Sequence, residues 1–203
     1  MIDPEDAPST LPDQPASQHL PAVPRALGKA AIHLAVALTV IRLIGVAIVS
    51  VPAPGEWALD VLAASPVVAI SIGIPLYVVA TLWLLRSYDF ARAVDPAFPM
   101  RRSRAWTWLG WWVPIVSLWF PFQIVDDVRR ATAKGQARTS PAIWWAAWLI
   151  AVWTGQISRS AFGDHWTLVA VLDTVAAVAW AVACVMWISI IRGITRDQEA
   201  ARG

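Results

Sequence analysis

The chain has 203 residues, 58% of them apolar and 15% charged, with 16 Lys and Arg against 14 Asp and Glu. The apolar residues gather into blocks of about 20, each long enough to cross about 30 Å of hydrocarbon, which excludes an ordinary water-soluble fold. The net charge of +2 does not mark a nucleic-acid surface, because the basic residues stand in short loops between apolar blocks, where they act as orientation signals.

Residues 1–27 form a proline-broken, acidic tail, with Pro4, Pro8, Pro12, Pro15, Pro21 and Pro24 beside Asp3, Glu5, Asp6 and Asp13. This composition predicts a disordered segment and lacks the basic start and cleavage site of a secretory signal. The helical membrane domain is expected over 28–198, followed by a short end at 199–203. Its first span is predicted over 31–51, with Arg42 near the centre and Pro52, Pro54 and Gly55 after it. The second, 61–85, contains Pro66, Gly73 and Pro75, which favour a bend because proline removes a backbone donor. A basic loop follows with Arg86, Arg92, Arg101, Arg102 and Arg104. Residues 105–125 are uncharged and dense in tryptophan, with Pro114 and Pro121 inside, and Arg129, Arg130, Lys134 and Arg138 come after them. Two further spans are predicted over 141–158 and 166–191, the last carrying Asp173 and leading into Arg192, Arg196 and Arg202.

The orientation rule bears on whether 105–125 crosses. With four spans and both termini cytoplasmic, fourteen Lys and Arg lie inside and Arg159 alone outside; with five spans the division is eight against seven. The expected fold is therefore an all-α integral membrane protein of the cell membrane with four transmembrane helices. The Trp/Pro-rich segment is then re-entrant or interfacial, and five transmembrane helices are the alternative. Tryptophan favours the headgroup boundary, and two prolines oppose a straight span. Non-helical backbone at that depth must be shielded by neighbouring spans.

The string Ser103-Arg104-Ala105-Trp106-Thr107-Trp108-Leu109-Gly110-Trp111-Trp112-Val113-Pro114-Ile115-Val116-Ser117-Leu118-Trp119-Phe120-Pro121-Phe122-Gln123 resembles the hallmark of a bacterial membrane family known as domain of unknown function 4328 (DUF4328). Leu82-Trp83-Leu84-Leu85-Arg86 upstream and Trp144-Trp145-Ala146-Ala147-Trp148 downstream are similar to its span ends, and Arg192-Gly193-Ile194-Thr195-Arg196-Asp197-Gln198 to its cytoplasmic end. The resemblance covers roughly Thr81 to Gln198. It picks out Arg86, Trp111, Trp112, Pro114, Leu118, Trp119, Pro121, Gln123, Trp144 and Trp145 as family positions, and implies no reaction, ligand or cofactor. The chain departs from the family pattern at Phe90, Ser117 and Phe120, where asparagine or a basic residue is expected.

Arg42 is the sharpest anomaly, since a central arginine costs about 2.5–3.5 kcal/mol on insertion scales and needs a partner. Asp173 on the last span lies within about 4 Å of the same depth, at about 1.5 Å per residue, which suggests an intramembrane ion pair. That pair fixes which helices meet or lines a polar path. Ala176, Ala177, Ala179, Ala181 and Ala183 beside it favour close helix packing. Asp126 and Asp127 read as a solvated surface beside Arg129 and Arg130. Arg101, Arg102, Arg104, Arg129 and Arg130 read as contacts to lipid headgroups.

His19, His33 and His165 have no paired metal-ligand spacing, the one cysteine, Cys184, supports neither a disulfide nor a cysteine metal site, and no nucleophile elbow or phosphate loop occurs. The expectation is a non-enzymatic membrane scaffold or interaction protein without cofactor, whose partners are membrane lipid and another membrane protein or a second copy. A transporter or channel subunit built on Arg42 and Asp173 is the alternative, and a lipid enzyme would need more converging polar groups.

Overall fold

The computed structural model describes residues 20–49, 55–134, 140–160 and 166–203. Among these every regular element is helical: α1 (Arg25–Val49), α2 (Glu56–Val94), α3 (Trp106–Leu109), a 3-10 turn (Val116–Leu118), α4 (Phe120–Thr132), α5 (Ala142–Ser160) and α6 (Trp166–Ala200). The expected disorder of the tail up to residue 19, the turn at Pro52 and Pro54, Arg138 and the loop holding His165 lie outside the described residues. α1 begins at Arg25, earlier than expected, because Pro24 supplies a helix-compatible start and Gly28 N–H donates to the Pro24 carbonyl at 3.0 Å.

Three helices, α1, α2 and α6, are long and apolar enough to cross a membrane. α2 continues through Pro66 and Pro75 over 39 residues, about 58 Å at about 1.5 Å per residue, and α6 runs for 35. Both exceed the about 20 residues that a crossing requires. Exposed apolar side chains fall in helical stripes: Val36, Val40 and Leu43 on α1; Val67, Ile70, Ile74 and Val78 on α2; Leu168, Val171, Val175, Val178, Val182 and Val185 on α6. A stripe recurring every three to four residues on the outside of a bundle is the pattern of a helix solvated by acyl chains.

α1 packs on α2 and on α6, and α5 packs along α6, which places the helices in the order α2, α1, α6, α5. α2 and α5 have no substantial interface of their own. At one end of the bundle the Trp-rich segment fills the space between them. That end holds the start of α1, the end of α2, the start of α5 and the end of α6. The Arg25–Glu199 ion pair (2.6 Å) ties the first and last of these, and Trp145 Nε1 donates to the Leu118 carbonyl at 2.7 Å. Arg92, Arg101, Arg102, Arg104, Arg129, Arg130, Lys134, Arg192 and Arg196 collect there too, while Arg159 stands at the other end.

Residues 105–125 do not form one helix. Gly110 closes α3 with its N–H on the Trp106 carbonyl (2.9 Å), and a Cβ there would sit 2.6 Å from that oxygen, so only glycine fits. Pro114 and the Ser117 hydroxyl, which donates to the Pro114 carbonyl at 2.7 Å, hold the following turn, and Pro121 occupies the first turn of α4, where a missing N–H costs nothing. The outer side of this broken stretch exposes Trp108, Leu109, Trp112, Val113, Ile115, Leu118 and Trp119. Its inner side packs on α2 and α5. α4 then continues past Val125 to Thr132, beyond the boundary expected from the uncharged run.

Candidate functional site

Two adjoining concavities open between the helices. The first, about 290 Å³, is lined by Tyr77, Trp111, Trp144, Trp148, Trp180 and Trp187, which belong to a connected run of aromatic contacts or lie beside it. Tyr77 of α2 meets Trp111 at 6.4 Å, Trp111 meets Trp145 at 6.1 Å, Trp144 stacks on Trp187 of α6 at 4.9 Å, and Trp187 meets Trp83 of α2 at 5.4 Å. Trp144 and Trp145 link the two runs at 5.3 Å. Edge-to-face and stacked pairs of this kind add about 0.5–1.5 kcal/mol each beyond area burial, so the chain of rings joins three helices and the broken segment into one unit. Thr39, Thr81 and Cys184 also line its interior.

The second cavity, about 770 Å³, continues toward the opposite end and shares Leu38, Gly73 and Trp180 with the first. Arg42 of α1, Arg159 of α5 and Asp173 of α6 all line it. Arg42 and Asp173 are thus brought to one cavity, as their depths suggested, but the direct ion pair is not formed. Asp173 accepts a hydrogen bond from Ser158 Oγ at 2.6 Å, and the Arg42 guanidinium lies 5.7 Å from the Trp180 ring with its Nε buried and unpartnered. The neighbouring α5 helix therefore supplies the partner for Asp173. Arg159 leans on Gln156 within its own helix and leaves the cavity with two guanidinium groups and one carboxylate already engaged.

The positions singled out by the Trp-rich motif stitch this architecture together. Trp112 Nε1 donates to the Tyr77 hydroxyl at 2.7 Å, the Leu118 carbonyl accepts from Trp145, and the Gln123 side-chain oxygen accepts from Arg102 Nε at 2.9 Å. Trp119 lies beside Phe120, and Arg86 is an exposed residue of α2.

At the basic end the structure corrects one expectation. Asp126 and Asp127 are not a solvated surface: they are 2% and 3% exposed. α4 carries apolar Ile124, Val125, Val128 and Ala131 around them and buries nearly its whole circumference, which pulls both carboxylates inward. Asp126 binds Arg101 (2.9 Å), Arg129 (2.8 Å) and Arg130 (2.9 Å). Asp127 accepts from the Arg101 backbone N–H at 2.8 Å and from its Nε at 2.7 Å. Burial alone would push the Asp126 carboxyl up, but Arg129, Arg101 and Arg130 together hold it below the ordinary carboxylate range. Burial pushes Asp127 up, and Arg101 offsets this only in part while Asp126 adds repulsion.

Of the arginines assigned to lipid headgroups, Arg101, Arg104 and Arg130 pair with carboxylates while their side chains keep 40%, 56% and 57% exposure. Arg104 forms a two-pronged pair with Asp89 (2.7 and 3.0 Å), Arg102 lies 3.7 Å over the Phe120 ring, and Arg129 is 7% exposed. The signal missed in the sequence was the apolar surround of the acid pair, which marks an inward-facing helix turn.

Among the described residues no group of three His, Cys, Asp or Glu is placed to hold a metal ion. No curated protein and no solved structure matches this chain significantly. One family model does, described as a domain of unknown function (DUF4328), and it matches residues 56–196. The match takes in all of α2 and extends the resemblance noted from Thr81 onward toward the N-terminus. The linked aromatic residues, the broken segment and α4 thus all fall within the matched region, and the chain belongs to the DUF4328 family.

Proposed function

We propose that this protein crosses the cell membrane four times, with both termini and the basic end cytoplasmic, and that it is a non-enzymatic binding protein for an anionic amphiphile. Four crossings are supported by α5. Its 19 residues reach about 28 Å, and it bears the same exposed apolar stripe as its neighbours, at Ile143, Ile150, Trp153 and Ile157. The collection of basic side chains at the end where the Trp-rich segment sits supports the orientation. The exposed tryptophans of that segment suit a position at the inner headgroup boundary.

The observation that carries the binding reading is the pair of adjoining cavities. One offers Arg42 and Arg159 to a negative head, two cations against the single carboxylate of Asp173, and the other offers an aromatic lining to an acyl chain. Cys184, the one cysteine of the chain, lines the aromatic cavity and serves as a native reporter. In dodecyl maltoside, dodecyl phosphate should slow reaction of Cys184 with N-ethylmaleimide, whereas dodecyltrimethylammonium should not. The Arg42→Gln/Arg159→Gln variant should lose the protection. Equal labelling under all these conditions would remove the reading.

A second reading, a scaffold that docks another membrane protein or a second copy, is favoured by the contiguous exposed face of Trp108, Trp112, Ile115 and Trp119. Crosslinking in native membranes that maps to this face, with no ligand protection of Cys184, would select it.

A further inference from the structure

A third concavity lies outside the bundle, between α4 and the C-terminal part of α6, with a volume of about 840 Å³. It shares no lining residue with the two inner cavities. Its walls carry Arg129, Lys134, Arg192 and Arg196, with Asp197 as the acid among them. Lys134, two residues past the end of α4, takes the left-handed conformation at φ 47° and lines this groove. Gly193, on the α6 wall, faces open space, with nothing within 4 Å of where a Cβ would stand.

Arg129 is the informative residue. Its Nη2 is held by Asp126, which fixes the guanidinium in place, while Nε and Nη1 are buried and have no hydrogen-bond partner. A buried, oriented guanidinium with two unused donors is an incomplete hydrogen-bonding unit, and the planar fork of arginine suits the oxygens of a phosphate. The height of the groove narrows the source of that phosphate. On α6 the exposed apolar stripe ends at Val185, the wall of the groove begins at Ser189, and the charged residues follow from Arg192. The groove therefore sits where apolar exterior gives way to charge, at the level of the inner-leaflet headgroups.

We propose that the α4/α6 groove binds the phosphate of an anionic phospholipid headgroup through Arg129, with Lys134, Arg192 and Arg196 supplying the surrounding positive field. The inference stands apart from the cavity reading, since it uses other residues at the other end of the molecule. The full chain in dodecyl maltoside, followed by the loss of native tryptophan fluorescence on heating, provides the test. Added dioleoylphosphatidylglycerol should raise the Tm by about 5 °C or more, as expected for a ligand well above its Kd, and dioleoylphosphatidylcholine should not. Arg129 is left intact because its replacement would also break its bond to Asp126. Instead, Arg192→Gln/Arg196→Gln, at two exposed positions, should lose at least half of the shift. Lys29→Gln/Arg86→Gln removes the same charge from the same end but off the groove and should keep it. Equal loss in both variants would overturn the site in favour of general surface charge. A comparable shift with inorganic phosphate would overturn the lipid assignment.

Discussion

Replacing Asp126 with asparagine is the most direct probe of how the broken segment is held. The substitution conserves shape and removes one negative charge that three guanidinium groups share at 2.8–2.9 Å. Arg101 and Arg130 are partly in solvent and can rehydrate, so their share of the loss is small. Arg129 cannot. Its side chain is 9% exposed, and without Asp126 it becomes a buried cation facing a neutral amide, for which the penalty is about 3–5 kcal/mol. Asp127→Asn should cost less, because burial already disfavours the charged form of that carboxyl and its strongest partners are donors that an amide oxygen still accepts in part.

Reversible unfolding in mixed micelles of dodecyl maltoside and dodecyl sulfate, followed by tryptophan fluorescence, measures both. The pH dependence separates the two carboxyls. The folded Asp126 carboxyl is depressed, so its contribution is present above the ordinary carboxylate range and is lost as pH falls through the lowered value. The folded Asp127 carboxyl is raised, so it favours the folded state at low pH and loses that contribution as pH climbs from the ordinary carboxylate value through the raised one. Asp127→Asn should flatten the upper of these two regions and Asp126→Asn the lower. A cost below about 1 kcal/mol for Asp126→Asn would refute the claim that Arg129 is locked by this carboxylate.

Other substitutions have smaller and contrasting outcomes. Arg104→Gln breaks an exposed pair with Asp89 and should cost at most about 1 kcal/mol in the same unfolding assay, despite its two short hydrogen bonds. Trp145→Phe keeps a ring in the run of aromatic contacts but removes the donor to the Leu118 carbonyl, which should cost about 1 kcal/mol and raise hydrogen exchange around 116–119. Gly28→Ala brings a Cβ to 3.1 Å from Ile191 Cγ2 and 3.2 Å from Trp83 Nε1 and should destabilise by about 1–3 kcal/mol. Gly45→Ala meets nothing within 4 Å and should stabilise α1 by about 0.5–1 kcal/mol, so thermal unfolding should move the two alanine variants in opposite directions.

The long apolar helices were legible because their signal is one-dimensional: uncharged length and flanking arginines suffice to find α1, α2 and α6. The Trp-rich stretch was readable as discontinuous from Pro114 and Pro121, but its break depends equally on Gly110, whose role emerges only when the Trp106 carbonyl is seen 2.6 Å from the missing Cβ. Arg42 and Asp173 line one cavity, and a nearly constant rise per residue is what made that proximity readable. Their partners were not readable, because whether a carboxylate turns to an arginine or to Ser158 is decided by helix rotation, which spacing does not report. The acid pair was misread for a related reason. Adjacent charges on a helix usually face solvent, and only the packing of α4 between α2 and α6 turns Asp126 and Asp127 inward.

The knot around Arg101 also has a consequence in time. Its acidic partners lie 25 and 26 residues farther along the chain. At a synthesis rate of about 5–20 residues per second, Arg101 is made about 1–5 s before those carboxylates. During that interval Arg104 can already pair with Asp89, but Arg101 has neither of its carboxylates. Arrival of α4 then fastens Arg101, which makes assembly of the second half of the chain the event that fixes the loop after α2.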